Sequence, residues 1–188
     1  MMSSSSYSDQ DEGPQNAEEW FVDACEKGNL KAFRQSLPDI DVHYANEWAF
    51  RAACNAGHPV VVEELLALKG SREVDVHVLQ ERGFLSACYR GHSQVVRQLL
   101  ALTGPRQVDV NADDGRALEH ACANGHLGVV RELLGPMAAD RIDIHIRDEA
   151  AFQSACGGGH LDIVRLLLAL DGDRRIDVHA ENEAAFRR

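Results

Sequence analysis

Ala53-Cys54-Asn55-Ala56-Gly57-His58-Pro59-Val60-Val61-Val62-Glu63-Glu64-Leu65-Leu66 returns 34 residues later as Ala87-Cys88-Tyr89-Arg90-Gly91-His92-Ser93-Gln94-Val95-Val96-Arg97-Gln98-Leu99-Leu100. Cys54, Cys88, Cys122 and Cys156 keep that step, each with alanine before it and glycine three residues after it. Other landmarks run in phase: Gly-His pairs ending at His58, His92, His126 and His160, and hydrophobic-acid-hydrophobic triplets starting at Ile40, Val74, Val108, Ile142 and Ile176. A fixed period of this length means that each unit is one small supersecondary element, which buries its apolar face only by stacking on copies of itself.

Within a unit the apolar spacing is helical. Phe50, Ala53, Cys54 and Gly57 form one stripe at i, i+3, i+4 and i+7, and Val61, Val62, Leu65 and Leu66 form a second after the glycine. Each unit therefore reads as helix, tight turn, helix. Pro59 falls in the first turn of the second helix, where its missing amide costs nothing. Between units, stretches such as Asp75-Val76-His77 are expected to be extended, too short for helices of their own.

These residues resemble the ankyrin repeat, whose pattern carries an Ala-Ala pair before Gly-His, paired aliphatics and leucines on a second helix, and an Asp-Val-Asn step into a projecting finger. Here the pair reads Ala-Cys, and the step reads Asp-Val-His or, at Asp109-Val110-Asn111, Asp-Val-Asn. The resemblance implies an all-α solenoid of stacked helix-turn-helix ankyrin-type repeats. Two departures modify it. The usual Thr-Pro-Leu-His opening of the first helix is missing, so that helix start must be fixed otherwise. The finger is also about three residues shorter than in the family pattern and the loop after the second helix about four longer, with Gly70-Ser71-Arg72, Gly104-Pro105-Arg106 and Gly172-Asp173-Arg174 as turn signals.

The expected organisation is a disordered acidic, Ser-rich tail over 1–17 and a repeat domain over 18–188, with repeats near 18–43, 47–77, 81–111, 115–145, 149–179 and a partial sixth at 183–188. The tail has almost no apolar content to offset its ordering entropy. The first unit reads as an N-terminal cap, with Asn29 where the others have histidine. The sixth stops after Glu183-Ala184-Ala185-Phe186-Arg187-Arg188, which fits either a partial cap or a fragment of a longer array.

The repeat framework absorbs most residues that would otherwise suggest chemistry. Equivalent positions in stacked helices lie roughly 8–10 Å apart, beyond the about 7 Å reach of a disulfide. The five cysteines therefore read as buried free thiols in a reducing compartment. Eight of the nine histidines follow the repeat, at His58, His92, His126 and His160 and at His43, His77, His145 and His179. At that spacing they do not share a zinc ion, which needs its ligands within about 2.1 Å. Only His120 stands outside the pattern, and it reads as a structural or surface residue. No phosphate loop or nucleophile elbow is present, so no catalytic residue, cofactor or metal is expected.

What remains is binding. A net charge of −11 with no basic cluster argues against nucleic acid and acidic membranes and for a protein or peptide partner of basic character. The resemblance places that partner along the side formed by fingers and first helices. The candidate contact residues are Tyr44, Asn46, Trp48 and Arg51, then Leu79, Gln80, Arg82 and Leu85. Tyr89, Arg90, Arg116 and Arg147 complete them. The aromatic and arginine residues are the types enriched at hot spots, concentrated in the N-terminal half. A monomer is expected. An architectural solenoid that self-associates through its C-terminal repeat is the alternative, as is a module of a larger adaptor or host-directed effector. No signal-like or membrane-spanning run is visible; a cytoplasmic setting is expected, with nuclear location or signal-less export also open.

Overall fold

In the computed structural model the described residues are 14–178. The expected tail lies almost wholly outside them, as do His179 and the partial sixth unit. The described residues form five helix pairs in order: α1 (Ala17–Glu26) and α2 (Leu30–Ser36), α3 (Tyr44–Ala56) and α4 (Pro59–Leu66), α5 (Val78–Arg90) and α6 (Ser93–Leu100), α7 (Ala112–Ala123) and α8 (Leu127–Leu134), α9 (Ile146–Gly157) and α10 (Leu161–Leu168). No strand occurs among the described residues. The first helices α1, α3, α5, α7 and α9 stack in sequence, and so do the second helices α4, α6, α8 and α10. This is the all-α solenoid that the periodicity requires. One continuous core runs through it, with Phe21, Phe33, Phe50, Phe84, Leu65 and Leu99 all fully buried.

The glycines of the first three Gly-His pairs, Gly57, Gly91 and Gly125, have two reasons to be glycine. Gly57 and Gly91 end α3 and α5 in the left-handed region, with φ of +77° and +83°. The following histidine amide then reaches back to the alanine before the cysteine, as in His58 N to Ala53 O at 3.1 Å and His92 N to Ala87 O at 2.9 Å, a Schellman closure. The second reason is the neighbouring repeat. The His92 ring lies over Gly57, so that a Cβ there would come within 2.3 Å of Nδ1, and the His58, His126 and His160 rings lie likewise over Gly28, Gly91 and Gly125. Each ring donates through Nε2 to a carbonyl of the preceding repeat: His58 to Glu26 at 2.7 Å, His92 to Asn55 at 2.9 Å, His126 to Tyr89 at 2.9 Å and His160 to Ala123 at 3.0 Å. The first unit has no repeat described behind it. There the exposed Asn29 caps α2, accepting from Ala32 N at 3.1 Å.

The loop arginines tie repeats together on the other side. Arg106 donates to Leu66 O at 3.0 Å and Arg174 to Leu134 O at 3.4 Å, while Arg72 bonds Leu37 O. Each reaches the frayed carbonyl end of a second helix that lies behind it. Four cysteines are buried as expected, and burial pushes the Cys25 and Cys122 thiols up to about 12 and raises those of Cys54 and Cys88 as well. Cys156 departs from the expectation: it is exposed, because no described first helix stacks beyond α9.

The first helices do not begin as expected. Ahead of the right-handed segments of α3, α5, α7 and α9, though not of α1, stand three consecutive residues in the left-handed region. They are Ala45, Asn46 and Glu47 (φ 50°, 57° and 58°), then Leu79, Gln80 and Glu81, then Asp113, Asp114 and Gly115, then Arg147, Asp148 and Glu149. The connecting stretch is likewise not extended throughout, since His77 lies at φ −87°, ψ −3°. One left-handed turn replaces the finger. Each non-glycine residue there costs roughly 1–2 kcal/mol, so the turn persists only where its surroundings over-determine it.

A repeated side-chain set does so. His77 Nδ1 lies 2.6 Å from Glu81 Oε1, His77 Nε2 donates to Pro105 O at 2.7 Å, and Glu81 Oε1 also accepts from Asp109 N at 3.1 Å. The same set occurs at His43 and Glu47 and at His145 and Glu149. In each case Asp41, Asp75 or Asp143 accepts from the histidine amide at 2.9 Å. The glutamates are buried, so each turn is bolted to the next repeat from inside.

Candidate functional site

On the first-helix side a cavity of about 280 Å³ opens between the end of α3, α5 from Arg82 to Arg90 and α7 from Asp113 to His120. Helical spacing gathers it. Arg82, Leu85 with Ser86, and Tyr89 with Arg90 recur at i, i+3/i+4 and i+7/i+8 on one face of α5, while Arg116 and His120 stand one turn apart on α7. Asn55 closes the α3 edge and Asp113 the α7 edge. Arg82 and Arg116 occupy the same place in successive repeats, and stacking brings them to a common wall.

Five of the residues expected from the sequence thus meet here: Arg82, Leu85, Tyr89, Arg90 and Arg116. Leu85 needs correction. It was expected on the exposed face but is 5% exposed, because leucine stands where the other repeats carry Arg51, Glu119 and Gln153 and packs into the core, lining the cavity as an apolar floor. The others lie off the cavity. Tyr44 and Trp48 stack on each other at 6.3 Å, with Trp48 40% exposed. Asn46, Leu79 and Gln80 sit exposed in the left-handed turns. Arg51 donates through Nε and Nη2 to Asn46 O and Ala45 O, each at 2.8 Å, which makes it a brace for its own turn. Arg147 is paired with Glu119 at 2.6 Å.

His120, expected as a structural or surface residue, also lines the cavity, as does Asn55, which was not among the expected contact residues. His120 packs edge-on against Tyr89 at 5.3 Å, at a place where other repeats carry Ala52, Ser86 and Ser154. Desolvation pulls its pKa down, ahead of the opposing charges around it, and its Nδ1 is buried without a partner among the described residues. Being the one histidine out of phase was the available signal. Arg90 lies 5.6 Å over the Tyr89 ring and reaches Asn55 Oδ1 at 3.4 Å, so the three arginines frame an aromatic and aliphatic surface.

The local charge opposes the global one. Three guanidinium groups line the cavity against the single carboxylate of Asp113, which is already 3.0 Å from Arg116 Nε. Among the described residues no group of three or more His, Cys, Asp or Glu side chains is placed to hold a metal ion, and no helix is long and apolar enough to cross a membrane.

The ankyrin-repeat family model matches residues 49–148 in three copies. The chain belongs to the ankyrin repeat family. Ankyrin repeats generally act as protein–protein interaction modules. No curated protein matches the chain.

Proposed function

We propose that residues 18–188 form one ankyrin-repeat unit that works as a non-catalytic binding module, taking a protein or peptide partner along its turns and first helices. The cavity between α3, α5 and α7 carries this reading. Tyr89 is 46% exposed in the cavity with Arg90 over its ring, and Trp48, off the cavity on the same side, is 40% exposed; aromatic and arginine side chains supply most interface energy. The histidines, glycines and cysteines that keep the repeat phase have scaffold duties, which leaves the side chains that vary between repeats to meet a partner. The five free thiols support a reducing, cytoplasmic setting. The net charge favours a partner with basic character where it meets the outer surface, while the cavity addresses it with the opposite sign.

The test is capture of partners from the native source by the wild-type chain and by a Trp48→Ala/Tyr89→Ala variant. Both side chains are exposed, so the variant should keep its helical circular dichroism and lose at least about tenfold in affinity, one hot-spot residue being worth more than about 1.4 kcal/mol. An unchanged set of captured proteins at unchanged affinity would refute the reading.

A further inference from the structure

The cavity's arginines are under-used. Arg82 is exposed and makes no hydrogen bond or ion pair among the described residues. Arg90 holds only the long contact to Asn55 and the face of Tyr89, and Asp113 answers Arg116 alone. Arg51, held next to this wall, has its pKa lowered first by desolvation and then by repulsion from Arg82, so the row of cations is crowded. At physiological ionic strength the Debye length is about 8 Å. A group entering the cavity therefore feels these arginines rather than the chain's distant acids.

We propose that this cavity anchors an acidic side chain, a glutamate or aspartate presented by the partner segment, with its carboxylate on Arg82, Arg90 and Arg116 and its carbon stem on Leu85 and Tyr89. The inference rests on the reading of this face as the partner-binding side. Guanidinium forks match a carboxylate in plane with two parallel N–H donors, and Leu85 and Tyr89 suit a stem rather than a bare ion. A phosphate fits less well. The walls are the sides of helices, whose backbone N–H groups are spent within the helices, and Asp113 already offsets one of the three cations.

The experiment follows arginine Nε–Hε resonances of the full chain by nuclear magnetic resonance during titration with a capped octapeptide carrying two glutamates, with its glutamine and lysine counterparts, and with inorganic phosphate at matched ionic strength. The glutamate peptide should shift Arg82, Arg90 and Arg116 saturably, and the glutamine peptide should bind about tenfold or more weakly, the worth of one charge-assisted hydrogen bond. Arg82→Gln should weaken the glutamate peptide by a similar factor, whereas Arg131→Gln on the outer helix α8 should leave it unchanged; equal losses in both variants overturn the site. A lysine peptide that binds these resonances more tightly overturns the acidic assignment but keeps the face as a peptide site. Tighter saturation by phosphate replaces the carboxylate and overturns it too. No saturable shift from any titrant removes both the anchor and the reading beneath it.

Discussion

The left-handed turn ahead of α5 and the one ahead of α7 do the same job with different chemistry. Before α5, His77 and the buried Glu81 act together: the imidazole holds Pro105 O and the carboxylate holds Asp109 N. Before α7, Asn111 does both alone, giving Nδ2 to Arg141 O at 2.7 Å and taking Asp143 N on Oδ1 at 2.9 Å. Where Glu81 would have a counterpart stands Gly115, and its φ of +76° needs no β-carbon; one there would meet Ile146 Cδ1 at 2.8 Å. One neutral amide thus replaces an ion pair, and Ile146 closes over the space. The turn geometry is set by two inter-repeat hydrogen bonds, whatever supplies them.

The difference sharpens under mutation. Glu81→Ala strands His77 Nδ1 and Asp109 N together and should cost about 1.5–3 kcal/mol, the range for hydrogen bonds to a charged group; urea unfolding measures it, and a loss below about 0.5 kcal/mol would mean that the backbone holds the turn unaided. Transplanting the other solution, His77→Asn with Glu81→Gly, should stay within about 1 kcal/mol of the parent, because it restores both inter-repeat bonds and relieves one left-handed non-glycine residue. A collapse comparable to Glu81→Ala would show that the two turns are not equivalent.

The smallest effect is the pH response. His43 and His77 have their pKa raised first by the bond to Glu47 or Glu81, and His145 first by the carbonyl of Asp173 and then by Glu149. Asp41, Asp75 and Asp143 add attraction. Because the folded state binds these protons more tightly than the unfolded one, their stabilisation is fully present below the ordinary histidine value of 6.5. It is lost as pH rises through the raised folded values. The three rings are about two-fifths exposed, so screening keeps the slope shallow. Denaturation midpoints should fall with rising pH above that value, and less in the transplanted variant, which keeps two of the three pairs. Identical slopes in the two proteins would take the imidazoles out of the account.

Much of this was legible in the chain. The helix pairs follow from Phe50, Cys54 and Gly57 at helical spacing, and Pro59 sits where α4 begins. The left-handed turns were not legible, since Ala45, Leu79 and Arg147 carry no mark of positive φ; only the absence of the usual helix opening signalled that something else set it. The cavity was half legible. Arg82, Arg90 and Arg116 were singled out one at a time, but their convergence depends on how far α7 lies from α5. Leu85 turned inward as an apolar side chain at a position where the other repeats carry the half-buried Arg51, Glu119 and Gln153.

The imidazole seated on the glycine behind it gives the solenoid an arrow. Through this ring each described unit after the first reaches back to its predecessor, while its turn reaches forward to its successor, so the two faces of a module are plug and socket rather than mirror images. Such an array tolerates whole modules added or removed at the 34-residue step, since each newcomer brings both fittings. A cut at any other phase would leave a socket with no plug.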